Sequence, residues 1–299
     1  MGTMCLSVII PVYNAEKYLP ELFACLDKCQ WNEGDEVLLI DNGSTDQSSI
    51  MCVNRALEDP TLYRYFRYTE KADSYASRNY GVSQARNEVL VFTDSDCKPD
   101  SHWIDAIHAN LEPGVVLGGS IKIEIVRNTI WEHFDSIAHL QTENMVHTKS
   151  VATANMAALR ADFDRVGKFT ERFSGGDYDW SRRASEKGVK IKYVPEMSVV
   201  HPSRKTYGEI EKKEQRIAYG QGLAAYKGDC PYIKLLLTYT LKIFKLDTNM
   251  RYTRQLRKRG FTFSELAYFN LKFMKIRLQQ FKFSKLGYRQ VSARKLKLK

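Results

Sequence analysis

No stretch of this sequence is apolar for long enough to cross a bilayer comfortably. The most apolar one, Tyr232 to Phe244, is broken by Lys234 and Lys242. Cysteine is sparse. The six residues, Cys5, Cys25, Cys29, Cys52, Cys97 and Cys230, have neither the density of a disulfide framework nor the spacing of a zinc site. Cys25 and Cys29 lie four apart in a helical pattern and read as small core or surface residues in a reducing compartment. No basic segment with a long apolar run precedes the strand-like residues from Leu6, so no secretory signal is expected. Glycine is missing from Pro11 to Ala15, and no basic residue occurs there before Lys17, which argues against a loop that cradles a triphosphate. Acid is missing from the far end. From Lys234 to Lys299 there are 18 Lys and Arg against Asp247 and Glu265, whereas residues 1–233 are net acidic, so the overall +10 belongs to the tail.

What is present begins with Val89-Leu90-Val91-Phe92-Thr93-Asp94-Ser95-Asp96. The continuous apolar run fits a buried parallel strand, and ligands of an open α/β sheet gather beyond the carboxyl ends of such strands. Asp94 and Asp96, one residue apart, are spaced to address one hard cation from the same side of the chain. The competing reading is a strand terminus that caps the next helix.

The rest of the first half has the same grammar. Leu6 to Ile10 is a short strand stopped by Pro11, and a helix follows from about Glu16 to Cys29. Glu36 to Ile40 is a second strand that runs into Asp41-Asn42-Gly43-Ser44-Thr45-Asp46, a turn whose glycine suits positive φ. Leu62 to Tyr68 is a third strand, Ser74 to Gln84 a helix, and Asp100 to Leu111 another. Strands alternating with helices predict an α/β unit with a mostly parallel sheet, flanked by helices and with two strands ending in Asp-rich loops. At 299 residues the chain can bury one large core and a smaller appendage.

Further on, Val115 to Ile125 reads as a strand region and Trp131 to Met145 as one helix. His133, His139 and His147 do not share a helical face, so they read as satisfied or solvent-exposed side chains. Ala152 to Ala158 is a small-residue segment, expected where backbone passes close to a ligand or another element. Phe173-Ser174-Gly175-Gly176-Asp177-Tyr178-Asp179-Trp180 leads into a helix that reaches Lys187; its carboxylates sit near a helix N-terminus, where backbone amides favour their ionised form. Lys190 to Val194 and Met197 to Val200 look like two short strands before His201-Pro202. Helical segments at about 207–226, 231–246 and 262–286 follow. In the last of these Phe263, Leu266, Ala267, Asn270, Met274 and Arg277 approximate one face, but other apolar residues spread around the helix and no single stripe emerges.

Pro11-Val12-Tyr13-Asn14, Asp41-Asn42-Gly43-Ser44-Thr45-Asp46, Ser77-Arg78-Asn79-Tyr80-Gly81, Asp94-Ser95-Asp96 and Gly175-Gly176-Asp177-Tyr178-Asp179-Trp180-Ser181-Arg182-Arg183 occur in this order. Together they resemble the successive signatures of family 2 glycosyltransferases with the GT-A fold, over about residues 5–202. The change of pattern from Tyr207 marks a helical basic C-terminal region at 206–299. The resemblance implies a Rossmann-like central sheet and a catalytic domain at 1–205, with a nucleotide-sugar half at 1–97 and an acceptor half at 98–205. It also implies an inverting, metal-dependent hexosyltransferase-like enzyme of polysaccharide or glycan synthesis. Such an enzyme moves a sugar from a nucleotide-diphosphate donor, UDP being the common choice, to a hydroxyl of a saccharide or lipid-linked glycan. Pro11, Tyr13, Asp41 and Asn42 match positions around base and ribose, with the main base contact left open between Asp41 and Asn42. Arg78 matches a basic residue near the nucleotide. Asp94 and Asp96 match the Asp-x-Asp pair that holds ribose and a divalent metal, Mn2+ or Mg2+, with His201 as a further candidate ligand. Asp177 matches the general base. Gly176 departs from the family, which usually carries Glu there, and Trp180 replaces a small aliphatic residue and could shape the acceptor pocket.

The physical chemistry agrees with that implication, since a charged leaving group calls for a cation on one side of the sugar and a base on the other. The rival readings are a nucleotidyltransferase and a non-catalytic sugar-nucleotide-binding subunit. Lys and Arg interleaved with aromatic and aliphatic residues in the tail suggest peripheral contact with an anionic membrane, at the cytoplasmic, inner face of the cell membrane. Packing or homo-oligomerisation is the alternative, and no nucleic-acid partner is expected because no reading motif is present.

Overall fold

A computed structural model describes residues 4–71, 73–172, 174–225, 231–244 and 246–296. Phe173, Cys230 and the last three residues, all named or spanned in the sequence reading, lie outside them. The first two-thirds of the chain runs β1 (Leu6–Val12), α1 (Leu19–Leu26), β2 (Glu36–Asp41), α2 (Ser48–Glu58), β3 (Tyr63–Arg67), α3 (Ser74–Gln84), β4 (Val89–Thr93), β5 (Lys98–Pro99), α4 (Trp103–Asn110), β6 (Val115–Glu124), α5 (Ile130–Ala138), α6 (Thr142–His147), β7 (Asn155–Leu159), α7 (Arg160–Val166), α8 (Gly176–Glu186) and β8 (Lys190–Pro202). Four helices complete it: α9 (Tyr207–Ala224), α10 (Tyr232–Phe244), α11 (Leu246–Lys258) and α12 (Phe263–Leu296).

The chain divides into two compact units. The first comprises Met1–Ile123, Leu140–Glu171 and Gly176–Pro202. Its eight strands form one sheet in the order β3-β2-β1-β4-β7-β6-β8-β5. Pairing is parallel across β3, β2, β1 and β4, and antiparallel from β4 to β7, from β7 to β6 and from β8 to β5. The sheet is therefore mixed, with its parallel half at the N-terminal end of the sequence. Strand residues alternate between two apolar layers. Leu6, Val8 and Ile10 of β1 pack with Leu19, Leu22 and Trp103 on one side, while Ile9 packs with Phe92, Phe163 and Trp180 on the other. Both faces are covered, which is why β4 reads as an unbroken apolar run from Val89 to Phe92 and β1 as one interrupted only by Ser7. Burying each such Leu, Ile or Phe stabilises the fold by roughly 1.5–3 kcal/mol.

Several local expectations change. The helix expected over 131–145 is two, because the chain turns at His139–Gln141 and Leu140 takes φ +51°. The small-residue segment at 152–158 mostly becomes β7, whose Ala157 and Ala158 lie flat between β4 and β6. The two short strands expected before His201 are one strand, β8. α11 had no counterpart in the sequence reading.

The second unit, Glu124–His139, Arg172–Gly175 and Ser203–Lys299, is helical. Trp131 and Phe134 of α5 pack with Ile210, Leu256, Leu266, Phe269, Phe273 and Ile276. The buried face of α12 therefore runs through Leu266, Phe269, Phe273 and Ile276, and Phe263, expected on that face, is 87% exposed. α9 and α12 approach backbone to backbone: a Cβ on Gly222 would lie 2.1 Å from the Ser284 carbonyl oxygen, and one on Gly287 would lie 2.2 Å from that of Tyr219. The unit also encloses a charged cluster. His139 Nδ1 is 2.6 Å from Asp135 and its Nε2 is 2.6 Å from Glu214, so the ring is held between two carboxylates. Arg204 and Lys213 face the fully buried Asp135 as well, at 3.2 and 3.7 Å.

Candidate active site

Asp94 and Asp96 lie in the turn between β4 and β5, beyond the carboxyl end of a central strand. Thr93 pins the strand end by donating to the Ala154 carbonyl at 2.9 Å, and the Cys97 amide closes the turn onto the Asp94 carbonyl at 3.1 Å. Antiparallel pairing of Lys98 with Val200 then brings the next residue of β8, His201, alongside. The ligand atoms of Asp94, Asp96 and His201 all lie within 4.8 Å of one another, with His201 Nε2 at 3.7 Å from Asp96 Oδ1. His201 Nδ1 is 2.7 Å from the Pro202 carbonyl, which can only accept, so Nδ1 donates there and the ring turns Nε2 toward the carboxylates. Two carboxylate oxygens and one imidazole nitrogen form a donor set that fits Mn2+ or Mg2+.

Behind this turn, α3 presents Arg78, which is 4% exposed. Its guanidinium pairs with Asp94 and donates to the Ser74 carbonyl at 3.3 Å, while Nε is buried without a hydrogen-bond partner among the described residues. An unused buried donor beside a carboxylate turn suits an anionic ligand such as a diphosphate. The same guanidinium lies over the ring of Tyr75, 5.6 Å from its centroid. Tyr75, one turn earlier in α3, donates its hydroxyl to Asp177 Oδ1 at 3.1 Å.

Asp177 stands in the first turn of α8, where the Tyr178 amide donates to Oδ1 at 2.9 Å. Burial pushes its carboxyl above the ordinary carboxylate range, against the opposing effects of the Tyr178 amide, the Tyr75 hydroxyl and the Arg78 charge. The preceding Gly175 has φ +77°, a conformation that favours glycine. Gly176 is required for a different reason: a Cβ there would lie 2.8 Å from the Tyr75 ring. The residue type at 176 and the aromatic at 75 are thus one feature. A tyrosine at the start of a helix looks like any core aromatic in sequence, so Tyr75 was missed.

The remaining expected residues divide. Asp41 is fully buried, and its oxygens accept from the Ser44 amide at 2.9 Å, Ser49 at 2.7 Å and Tyr65 at 3.1 Å. Burial works to raise this carboxyl, but those donors outweigh it and hold it below its usual range. Asn42 is half-buried; its amide nitrogen donates to the Tyr68 and Lys71 carbonyls, both at 2.8 Å, fixing the loop whose Gly43 takes φ +81°. Pro11 lies opposite Ile40, one residue before the paired part of β1 ends at Val12, and Tyr13 is 61% exposed. Trp180 is not at an accessible pocket. It is fully buried, stacks on Phe163 and donates to the Gly167 carbonyl, because on α8 it projects into the core; the exposed aromatic beside Asp177 is Tyr178.

Residues 7–167 match the model of glycosyl transferase family 2. Glycosyltransferase AglE of Haloferax volcanii is 32% identical over 224 residues, which cover 72% of this chain and 72% of that protein. Other curated relatives are matched over less than half of their own length. Among solved structures, the mannosyltransferase PcManGT from Pyrobaculum calidifontis, in complex with GDP-Man and Mn2+, superposes with a TM-score of 0.64 at 15% identity, covering 95% of this chain and 87% of that one. S. aureus TarS 1-349 with UDP-GlcNAc gives 0.53 at 18% identity, covering 96% and 92%. The mixed sheet, the Asp-x-Asp turn beyond its central strand and these similarities lead to one conclusion: the chain belongs to glycosyl transferase family 2 and has the GT-A fold.

Proposed function

We propose that the chain is an inverting transferase that takes a sugar from a nucleotide diphosphate, with UDP as the nucleotide, and passes it to a hydroxyl of a saccharide or lipid-linked glycan. The observation that carries this reading is the unbroken line of contacts from His201 and Asp96 through Asp94, Arg78 and Tyr75 to Asp177. It joins a cation- and anion-binding end to a base within one unit. Asp94, Asp96 and His201 would hold a divalent cation, which when bound offsets the negative charge that grows on the diphosphate as the glycosidic bond breaks. Arg78 supplies a fixed positive charge and a spare N–H at that end. Asp177 takes the proton of the acceptor hydroxyl as it attacks the anomeric carbon, its basicity supported by its raised carboxyl. One displacement inverts the anomeric configuration.

Asn42 rather than Asp41 is the base contact in this reading, because both oxygens of Asp41 already accept from Ser44 of its loop, Ser49 of α2 and Tyr65 of β3. Pro11 and Tyr13 complete the base and ribose side. Residues 1–97 serve the donor, 98–205 the acceptor, and the basic region 206–299 contacts the anionic inner face of the cell membrane, where a lipid-linked acceptor is met in two dimensions. No helix among the described residues is long and apolar enough to cross a membrane.

The test is Asp177→Asn with a panel of nucleotide sugars, scored for transfer and for the product released. Turnover should fall by roughly 10²–10⁴-fold with UDP binding retained. Unchanged turnover would remove Asp177 from this role, and release of pyrophosphate instead of nucleoside diphosphate would make the protein a nucleotidyltransferase.

A further inference from the structure

The outward side of α12 carries a pattern that the sequence hides. Leu271, Leu278 and Leu286 are 76, 52 and 44% exposed, and Lys275, Lys282 and Arg289 are exposed between and beyond them. Steps of three and four residues keep all six on one side of the helix, opposite Phe269, Phe273 and Ile276. The stripe alternates leucine and cation along roughly 27 Å of helix, at about 1.5 Å per residue. No acid occurs in the chain after Glu265 to neutralise it. In the same unit, α10 exposes Ile233, Leu237 and Leu241 at successive four-residue steps, so large aliphatic side chains face water on two of its helices.

Any occupant of this stripe has to be apolar and anionic along the same line. A second copy would set cations against cations. A nucleic acid would meet the lysines but leave three leucines against phosphate. A bilayer surface with anionic headgroups meets both demands, since leucines enter the acyl boundary while lysine and arginine extend to the headgroups.

We propose that the Leu271–Arg289 face of α12 is the surface by which this protein docks on anionic lipid. The inference deepens the membrane contact proposed above by naming its face, and it rests on that contact without depending on the catalytic roles.

The experiment is co-sedimentation of the full chain with phosphatidylcholine vesicles, with and without about 30 mol% phosphatidylglycerol. The protein should bind the anionic vesicles at least ~10-fold more tightly than the neutral ones, and about 0.5 M NaCl should reverse most of that difference. Leu271→Ser/Leu278→Ser/Leu286→Ser should lose binding in low salt, and Lys275→Gln/Lys282→Gln/Arg289→Gln should lose the preference for phosphatidylglycerol. Because all six side chains point to solvent, both variants should keep the wild-type circular dichroism spectrum and thermal midpoint. Wild-type protein that ignores anionic vesicles would overturn the membrane contact itself. Wild-type binding that survives both triple variants would overturn this face and leave the contact standing. A dimer in gel filtration that the leucine variant dissociates would overturn it in favour of self-association.

Discussion

The hydroxyl of Tyr75 donates to Oδ1 of Asp177 at 3.1 Å, across 102 positions of sequence. Burial holds the phenol well above its ordinary value, so it stays protonated and remains a donor through the working pH range. A hydrogen bond to the ionised carboxylate favours that form, so removing it raises the carboxyl further. Tyr75→Phe is therefore expected to shift the acid limb of the kcat profile to higher pH, with KM for the donor little changed. A profile that keeps its acid limb would show that the hydroxyl does not act on Asp177.

Gly176→Ala should be costly although its backbone tolerates a side chain. The new methyl would press on three ring atoms of Tyr75 at 2.8–2.9 Å, and this contact lies in a well-packed layer. Overpacking of this kind costs about 1–3 kcal/mol. Urea denaturation should show that loss, and the same substitution made in a Tyr75→Ala background should cost much less than it does in the wild type. Full wild-type stability in Gly176→Ala would show that the ring moves freely.

Removing one ligand should separate metal from nucleotide binding. Asp96→Ala and His201→Ala are each expected to weaken Mn2+-dependent binding of UDP by about 10–100-fold, measured by calorimetry. Binding in the presence of a chelator should be nearly the same as wild type. Equal affinities with and without Mn2+ in the wild type would sink the metal assignment.

The charged cluster of the helical unit predicts a pH dependence with a definite sign. Burial, aided by the Arg204 charge, lowers Lys213 from 10.5 to about 7, against the pull of Asp135 and Glu214. Between those two values the unfolded chain binds the proton and the folded one does not, so stability from this group rises with pH across that window. Lys213→Met should flatten the rise in denaturation midpoint between pH 7 and 10 and stabilise most below pH 7, where the buried ammonium is fully charged. A parallel rise in both proteins would assign it to other groups.

The parallel half of the sheet was legible because a strand buried on both faces must be continuously apolar, as Val89 to Phe92 is. Asp94, Asp96 and His201 could be named because strand ends and motif spacing mark them, and the pairing of β5 with β8 shows how they meet. Tyr75 was not legible, since its role depends on a glycine a hundred residues away. Trp180 misled for the converse reason: its place beside the motif suggested a pocket, but its helical phase sends it into the core. The α12 stripe was hidden because aromatic residues of the buried face interleave with the exposed leucines in sequence.

Gly222 and Gly287 give α12 a fixed azimuth. Two backbone carbonyls occupy the space where a Cβ on either glycine would go, so the helix cannot roll about its own axis against α9 without separating from it. A methyl at either position would act as a wedge and turn the leucine and lysine row away from its present bearing. The direction in which that row faces is thus set by two residues with no side chain, neither of which belongs to it.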